Sequence, residues 1–93
     1  MSFYLKDPHS RVDYAIDWGA AYLDGQAIAA SVWSVVPEES GGVAIDEAGF
    51  DLTQTGVTLV GGVPGHVYSV VNRVTLSDGR SDERSITLRV EER

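Results

Sequence analysis

The sequence contains no cysteine, only two histidines and no long apolar run. Without cysteine the protein can form neither disulfides nor thiolate chemistry, and its redox compartment stays open. The longest apolar runs, such as 27–30, are far shorter than a membrane span. The N-terminus lacks a basic start followed by an apolar stretch, so we expect no secretion signal and a small cytoplasmic gene product.

Positive charge is also missing from most of the chain. Lysine and arginine are absent between Val12 and Asn72, although that span holds eight of the fourteen acidic residues. From Arg73 to Arg93, five arginines accompany five acidic residues. The net charge of −7 argues against nucleic acid as a partner. This asymmetry either serves solubility alone or lets the arginine region of one copy contact the acidic region of the next.

The residues needed for catalysis or metal binding do not form a recognisable pattern. His9 and His66 have no metal-ligand spacing, and the chain has no nucleophile elbow, P-loop or dinucleotide fingerprint. The acidic clusters at 46–51 and 78–83 lack a calcium-loop pattern, and we interpret them as solvated turns. We therefore predict a non-enzymatic protein with no catalytic residue, no metal and no cofactor.

Alternation of apolar and polar residues with period two dominates the sequence and predicts β-strands. The predicted strands are 12–18, 28–36, 43–45, 50–53, 57–60, 67–76 and 86–90. The segment 19–25 is long enough for one helical turn at most. Turn signals recur every 8–12 residues, which favours an all-β, immunoglobulin-like Greek-key β-sandwich in a single domain.

The last predicted hairpin allows its register to be derived. A three-residue loop over 77–79, with Gly79 in the left-handed conformation, keeps the apolar residues of both strands on one face. This register places Asn72 opposite Arg84 inside that face, which is tolerable if the two side chains bond to each other or to backbone.

Three aromatic residues are predicted to be structural. Trp18 is in phase with the apolar positions of 12–18 and is expected in the core. We favour an inward Trp33, although an outward ring would suit stacking against a sugar. Tyr68, which the hairpin register places opposite Leu88, is expected to bond its hydroxyl to a nearby loop backbone as in a tyrosine corner.

The N-terminal residues 1–11 have two possible roles. Phe3 and Leu5 suit a first strand of the sandwich, or an arm that adds to the sheet edge of a neighbour. The predicted organisation is therefore an arm or first strand over 1–11 and a sandwich over 12–93.

Four segments of the sequence carry a resemblance to a known protein family. They are the run 6–8, the run 13–18 around Trp18, the run 31–35 around Trp33, and the closing run 61–84, which reads G-G-x-x-G-x-x-Y and then alternates valines up to Ser77-Asp78-Gly79-Arg80. Together they resemble small proteins encoded among the head and tail genes of tailed bacteriophages and prophages, labelled fiber–tail adaptors. The resemblance spans roughly residues 5–90 and is loose over 37–55. It implies an immunoglobulin-like fold, no catalytic residues, and a virion component present in several copies.

We therefore predict a structural adaptor of a tailed phage particle, made in the host cytoplasm, that forms homo-oligomers and docks tail or fiber proteins. Nucleic acid and membrane are not expected partners. The alternative is a carbohydrate- or surface-binding module with an exposed Trp33 or Tyr22. The interface candidates are Phe3, Leu5, Arg73, Arg80, Arg84 and Arg89, of which Arg84 also has a structural interpretation through Asn72.

Overall fold

The computed structural model describes residues 2–92, apart from the side chains of Ser2, Ala20 and Ala21. Within this range the chain forms seven strands and one helical turn. They are β1 (Ser2–Lys6), β2 (Val12–Asp17), α1 (Ala20–Leu23), β3 (Ile28–Val36), β4 (Ala44–Phe50), β5 (Gln54–Val60), β6 (Val67–Leu76) and β7 (Ser81–Val90). Arg93, the last arginine of the predicted basic region, lies outside the described residues.

The strands form two sheets that enclose two adjoining clusters of buried apolar residues. The first sheet has the order β1-β7-β6-β3 and the second the order β2-β5-β4. β1 lies parallel to β7, whereas the other neighbouring strands are antiparallel. Alternate residues of both sheets point inward and pack together, so the all-β prediction is confirmed and the arrangement is consistent with a β-sandwich. Its largest buried apolar side chains include Trp18, Leu59, Tyr68, Val70 and Leu88.

The predicted register of the last hairpin is confirmed. Asn72 lies opposite Arg84 in the ladder between β6 and β7, and Tyr68 lies opposite Leu88. The loop spans 77–79, and Gly79 has a φ of +91°, a backbone conformation that favours glycine. The two side chains of the Asn72–Arg84 pair differ in burial, however, because Asn72 is fully buried and Arg84 is exposed.

The strand predicted over 50–53 is wrong. β4 already ends at Phe50, and the next three residues form the turn into β5. The carboxylate of Asp51 accepts hydrogen bonds from the backbone N–H groups of Thr53 and Gln54, at 2.9 and 2.8 Å. This local bonding stabilises a turn where the alternation of Phe50 and Leu52 suggested a strand.

Several other strand boundaries also differ from the prediction, and β5 begins at Gln54 rather than at the expected residue 57. β4 runs well past the expected 43–45, so the acidic residues Asp46 and Glu47 belong to a strand rather than to a turn. The last strand begins at Ser81, because its first residues extend the ladder opposite 73–75. α1 is a single turn, in agreement with the short length of its segment.

A buried lysine, Lys6, holds β1 against the rest of the fold. The side chain of Lys6 is only 1% exposed, and its Nζ donates to the carbonyl oxygens of Asp7, Ser10 and Gly61 at 3.0, 2.7 and 2.7 Å. Burial lowers the pKa of this ammonium. Residues 2–6 therefore pair within the chain, while a domain boundary at residue 11 stays a prediction.

Candidate docking surfaces

The outward side of the four-stranded sheet carries most of the exposed large apolar side chains. We call this side the outer apolar face. Its apolar members are between 44% and 62% exposed: Phe3, Leu5, Val32, Val36 and Val67. The strand registers place all five on the side opposite the core, because their sequence neighbours point inward. Exposed patches of this kind mark interaction surfaces.

Two of the candidate arginines lie on this face. Arg89 stands between Leu5 and Val67 in the sheet register, and Arg73 lies beside Val32. Each has an acidic neighbour: Arg89 pairs with Glu91 at 2.8 Å and Arg73 with Glu83 at 3.6 Å. Because these pairs are exposed, they stabilise the fold little and leave both guanidinium groups accessible to a partner.

The other two candidate arginines lie elsewhere. Arg80 belongs to the turn between β6 and β7 and pairs with Asp78 at 2.6 Å. Arg84 lies over the ring of Trp18 at 4.3 Å and donates a hydrogen bond to the carbonyl oxygen of Asp17 at 3.3 Å. The basic region of the sequence is therefore dispersed over two sides of the sheet and one turn.

Replacing Arg84 by alanine is expected to lower the free energy of unfolding by about 1 kcal/mol, since the cation–π contact with Trp18 and a hydrogen bond are lost. Arg80→Ala is the matched control and should change it by less than about 0.5 kcal/mol. Urea unfolding followed by tryptophan fluorescence measures both. Equal stability of the two variants would show that the contact with Trp18 contributes nothing.

The outward side of the three-stranded sheet is acidic. Asp13 accepts a hydrogen bond from the hydroxyl of Thr58 at 2.6 Å, and Arg11 pairs with Asp46 at 2.8 Å and Glu47 at 3.1 Å. These bonds raise the pKa of Arg11. Arg11, which immediately precedes the segment 12–72, thus provides a positive charge for two of the acidic residues in that segment. Between them lies a shallow depression of about 670 Å³ whose floor includes Ala15, Gly49 and Gly56.

Both long sides of the fold carry a depression between the sheets. At the β1–β2 side, the rings of Tyr4 and Tyr14 pack at 4.9 Å, and a depression of about 550 Å³ lies between Tyr4, Ile16 and Ile86. At the β3–β4 side, a groove of about 330 Å³ remains between the sheets. Its lining residues are Trp33, Ser34, Val35, Glu38, Glu39, Gly42, Val43, Ala44 and Ile45.

The tryptophan in this groove does not form an exposed platform. Trp33 is 8% exposed and points inward, as its phase with Val35 predicts. Tyr22 is exposed, but its ring packs against Trp18 and its hydroxyl donates to Asp82. The exposed Trp33 that would favour sugar binding is therefore absent.

Glu39 connects the groove to the start of β6. Its carboxylate accepts a hydrogen bond from the hydroxyl of Tyr68 at 2.9 Å and lies 3.1 Å from Nδ1 of His66. The Tyr68 hydroxyl in turn accepts from the backbone N–H of Val63 at 3.1 Å, so the expected tyrosine-corner bond is present. Pro64 and Gly65 form the turn before β6, with a φ of +85° at Gly65. Glu39 could not be predicted from the sequence, because its partners lie 27 and 29 residues away along the chain.

The stability that Glu39 provides is expected to depend on pH. The hydrogen bonds from His66 and then Tyr68 lower the pKa of Glu39 below its ordinary value of 4.5. A carboxyl group with a lowered pKa stabilises the fold above its unfolded pKa, and this contribution is lost as the pH falls through its folded pKa. Glu39→Gln should therefore unfold at a lower temperature than wild type at pH 7, with the difference shrinking below about pH 4. Melting curves from pH 3 to pH 8 test this, and a difference independent of pH would contradict it.

A second polar cluster lies in the core. The amide oxygen of Asn72 accepts hydrogen bonds from Thr55 Oγ1 at 2.7 Å and from Trp18 Nε1 at 3.3 Å. Its amide nitrogen donates to Ser31 Oγ at 2.9 Å and to the carbonyl oxygen of Val32 at 3.3 Å. This cluster joins both sheets. Of the two alternatives expected for the Asn72–Arg84 pair, bonding to backbone is the one observed, because Asn72 donates to the carbonyl of Val32 and Arg84 to that of Asp17.

Neither a metal site nor a membrane-spanning helix is found in the part of the chain that the structure describes. Across residues 2–92, no three His, Asp or Glu side chains come together in a way that could hold a metal ion. In the same range, no helix is long and apolar enough to cross a bilayer.

Comparison with known proteins gives one family. The family model described as podophage GP4 fiber-tail adaptor protein gp77 matches residues 6–89, nearly the whole chain. No curated protein matches. The match covers the motifs that carry the sequence resemblance, together with both sheets of the fold. The chain therefore belongs to the podophage GP4 fiber-tail adaptor family and is a structural adaptor of the phage tail.

Proposed function

We propose that this chain is an immunoglobulin-like adaptor that assembles in several copies and docks tail or fiber proteins without catalysing a reaction. The observation that carries the proposal is the outer apolar face, where five exposed apolar side chains share one sheet surface with Arg73 and Arg89. A surface that combines apolar residues and arginine suits a protein interface.

The strand order supports an immunoglobulin-like Greek key. β3, β6 and β7 occupy the positions of strands C, F and G of that fold, and β2, β5 and β4 those of B, E and D. Tyr68 near the start of β6 also makes the hydroxyl-to-backbone bond of a tyrosine corner. Such a sandwich presents two rigid outer surfaces to its neighbours.

Charge favours a head-to-tail contact between copies. Arg73 and Arg89 lie on the outer apolar face, while Asp13, Asp17 and Glu47 lie on or beside the opposite sheet surface. A contact between these two different surfaces is heterologous, and it closes into a ring when the rotation between copies allows. The acidic depression around Ala15 is flat enough to receive a sheet face.

Sedimentation velocity at low and high salt tests the assembly. We expect oligomers at low salt that dissociate as salt screens the contact. Arg89→Glu should weaken assembly strongly. Arg80→Glu makes the same charge change in the turn between β6 and β7, and it shows whether this turn belongs to the contact between copies. Oligomers that persist at high salt and in Arg89→Glu would contradict this mode of assembly.

A further inference from the structure

We infer that the open β3–β4 side takes up an extended, basic segment of a tail or fiber protein, which adds to the sheet as a strand next to β3. The inference rests on the proposed function and specifies the chemistry of the partner segment. Strand addition uses backbone hydrogen bonds for affinity and pockets for alternate side chains for specificity.

The edges of the two sheets are protected to different degrees. β4 carries Asp46 and Glu47 and has a bulge between Ile45 and Glu47, and β1 is only five residues long. β3, in contrast, is nine residues long and contains no charged residue. Its irregularity is confined to the segment 28–30, so 31–36 is a regular edge. Folded proteins protect such edges with charge, bulges or short length, and an unprotected edge is a template for another strand.

The groove beside this edge supplies the pockets for an added strand. β3 contributes Trp33, Ser34 and Val35 to one wall, while Ala44 and Ile45 of β4 form the other. The indole Nε1 of Trp33 is buried, and it has no hydrogen-bond partner in the described range. Val32 and Val36, at 62% and 58% exposed, flank the groove on the outer surface of the same strand.

Charge identifies the occupant. Glu38 and Glu39 lie at the end of the groove, and no lysine or arginine lines it. A second copy would offer its own β3 strand, which has no positive charge to balance these carboxylates. A partner segment with alternating apolar residues and a lysine or arginine near one end fits both the edge and the charge.

Binding of purified tail and fiber proteins from the same phage, measured by biolayer interferometry, tests the inference. Ala44→Lys places a lysine beside the groove without altering the outer apolar face, where it repels a basic segment and should weaken binding by about tenfold or more. Leu52→Lys is the control, because it adds the same charge at a residue that is 68% exposed in the turn between β4 and β5, away from the groove and from both surfaces of the proposed contact between copies. Melting curves confirm that both variants are folded.

Hydrogen exchange and a charge reversal provide independent readouts. Bound partner should slow exchange of the free-edge amides within 31–36, which docking on a side-chain face would not do. Glu38→Lys should weaken binding and reduce its salt dependence, whereas Glu92→Lys, at the chain end after β7, should leave both unchanged.

The other outcomes separate this inference from the proposed function. Equal binding by Ala44→Lys and Leu52→Lys, without protection of 31–36, would overturn strand addition and leave the adaptor proposal intact. Protection of 31–36 that instead rises with the concentration of the chain alone would identify a second copy as the occupant and overturn the inference. Failure of every tail and fiber protein to bind wild type would overturn both.

Discussion

Asn72→Ala is expected to lower the free energy of unfolding by about 3 kcal/mol, because the substitution leaves the buried Thr55 hydroxyl without its acceptor and removes one of the two acceptors of Trp18 Nε1. The Asn72 side chain is fully buried and makes four hydrogen bonds. Its removal leaves Trp18 Nε1 with only the hydroxyl of Thr55, at 3.3 Å, and leaves the carbonyl of Val32 without its side-chain donor. Urea unfolding of the purified chain measures the loss.

Two further variants separate the hydrogen bonds from the cavity. Asn72→Leu keeps the branched shape of the side chain and removes the bonds, so it should remain less stable than wild type. Thr55→Val should lower the free energy of unfolding by about 1 kcal/mol. The double variant of Asn72 and Thr55 should lose less than the sum of the two single losses, because the hydrogen bond between these two side chains can be lost only once. An Asn72→Leu chain as stable as wild type would show that the cluster contributes specificity rather than stability.

The register of the hairpin could be derived from the sequence because two local signals agree. Gly79 fixes the loop, and the alternation of apolar residues on both strands permits only one pairing. The same alternation failed at Phe50 and Leu52, where the side chain of Asp51 forms the turn. Short-range hydrogen bonds of an aspartate outweigh a two-residue pattern.

The candidate site could be predicted only in part. One face of the four-stranded sheet carries Phe3, Leu5, Arg73 and Arg89. From the sequence, the arginines could be grouped only because they lie close together along the chain. Arg84 and Arg89 are an odd number of residues apart on β7, so their side chains point to opposite sides of the sheet. The side chain of Arg84 therefore packs on Trp18. The β3–β4 groove was not predicted, because an open edge depends on which strands lie last in each sheet.

The buried ammonium of Lys6 gives the second large effect. Lys6→Ala should lower the free energy of unfolding by about 3 kcal/mol, since it leaves a cavity and deprives three carbonyl groups of their donor. One of these carbonyls belongs to Gly61, which lies 55 residues away along the chain, so no local pattern reveals the contact. Thermal and urea unfolding measure the loss.

Lys6→Met is the matched control, because it retains the apolar stem and removes the ammonium group with its charge and its three hydrogen bonds. We expect it to lose about 2 kcal/mol, which is less than the alanine variant loses. In both variants the amides of 2–6 should exchange faster, because β1 is held at the sheet edge by this lysine and a five-residue ladder. Release of β1 would also remove Phe3 and Leu5 from the outer apolar face and expose the edge of β7. Assembly should therefore weaken in Lys6→Met even where the chain stays folded, and unchanged assembly would exclude β1 from the contact between copies.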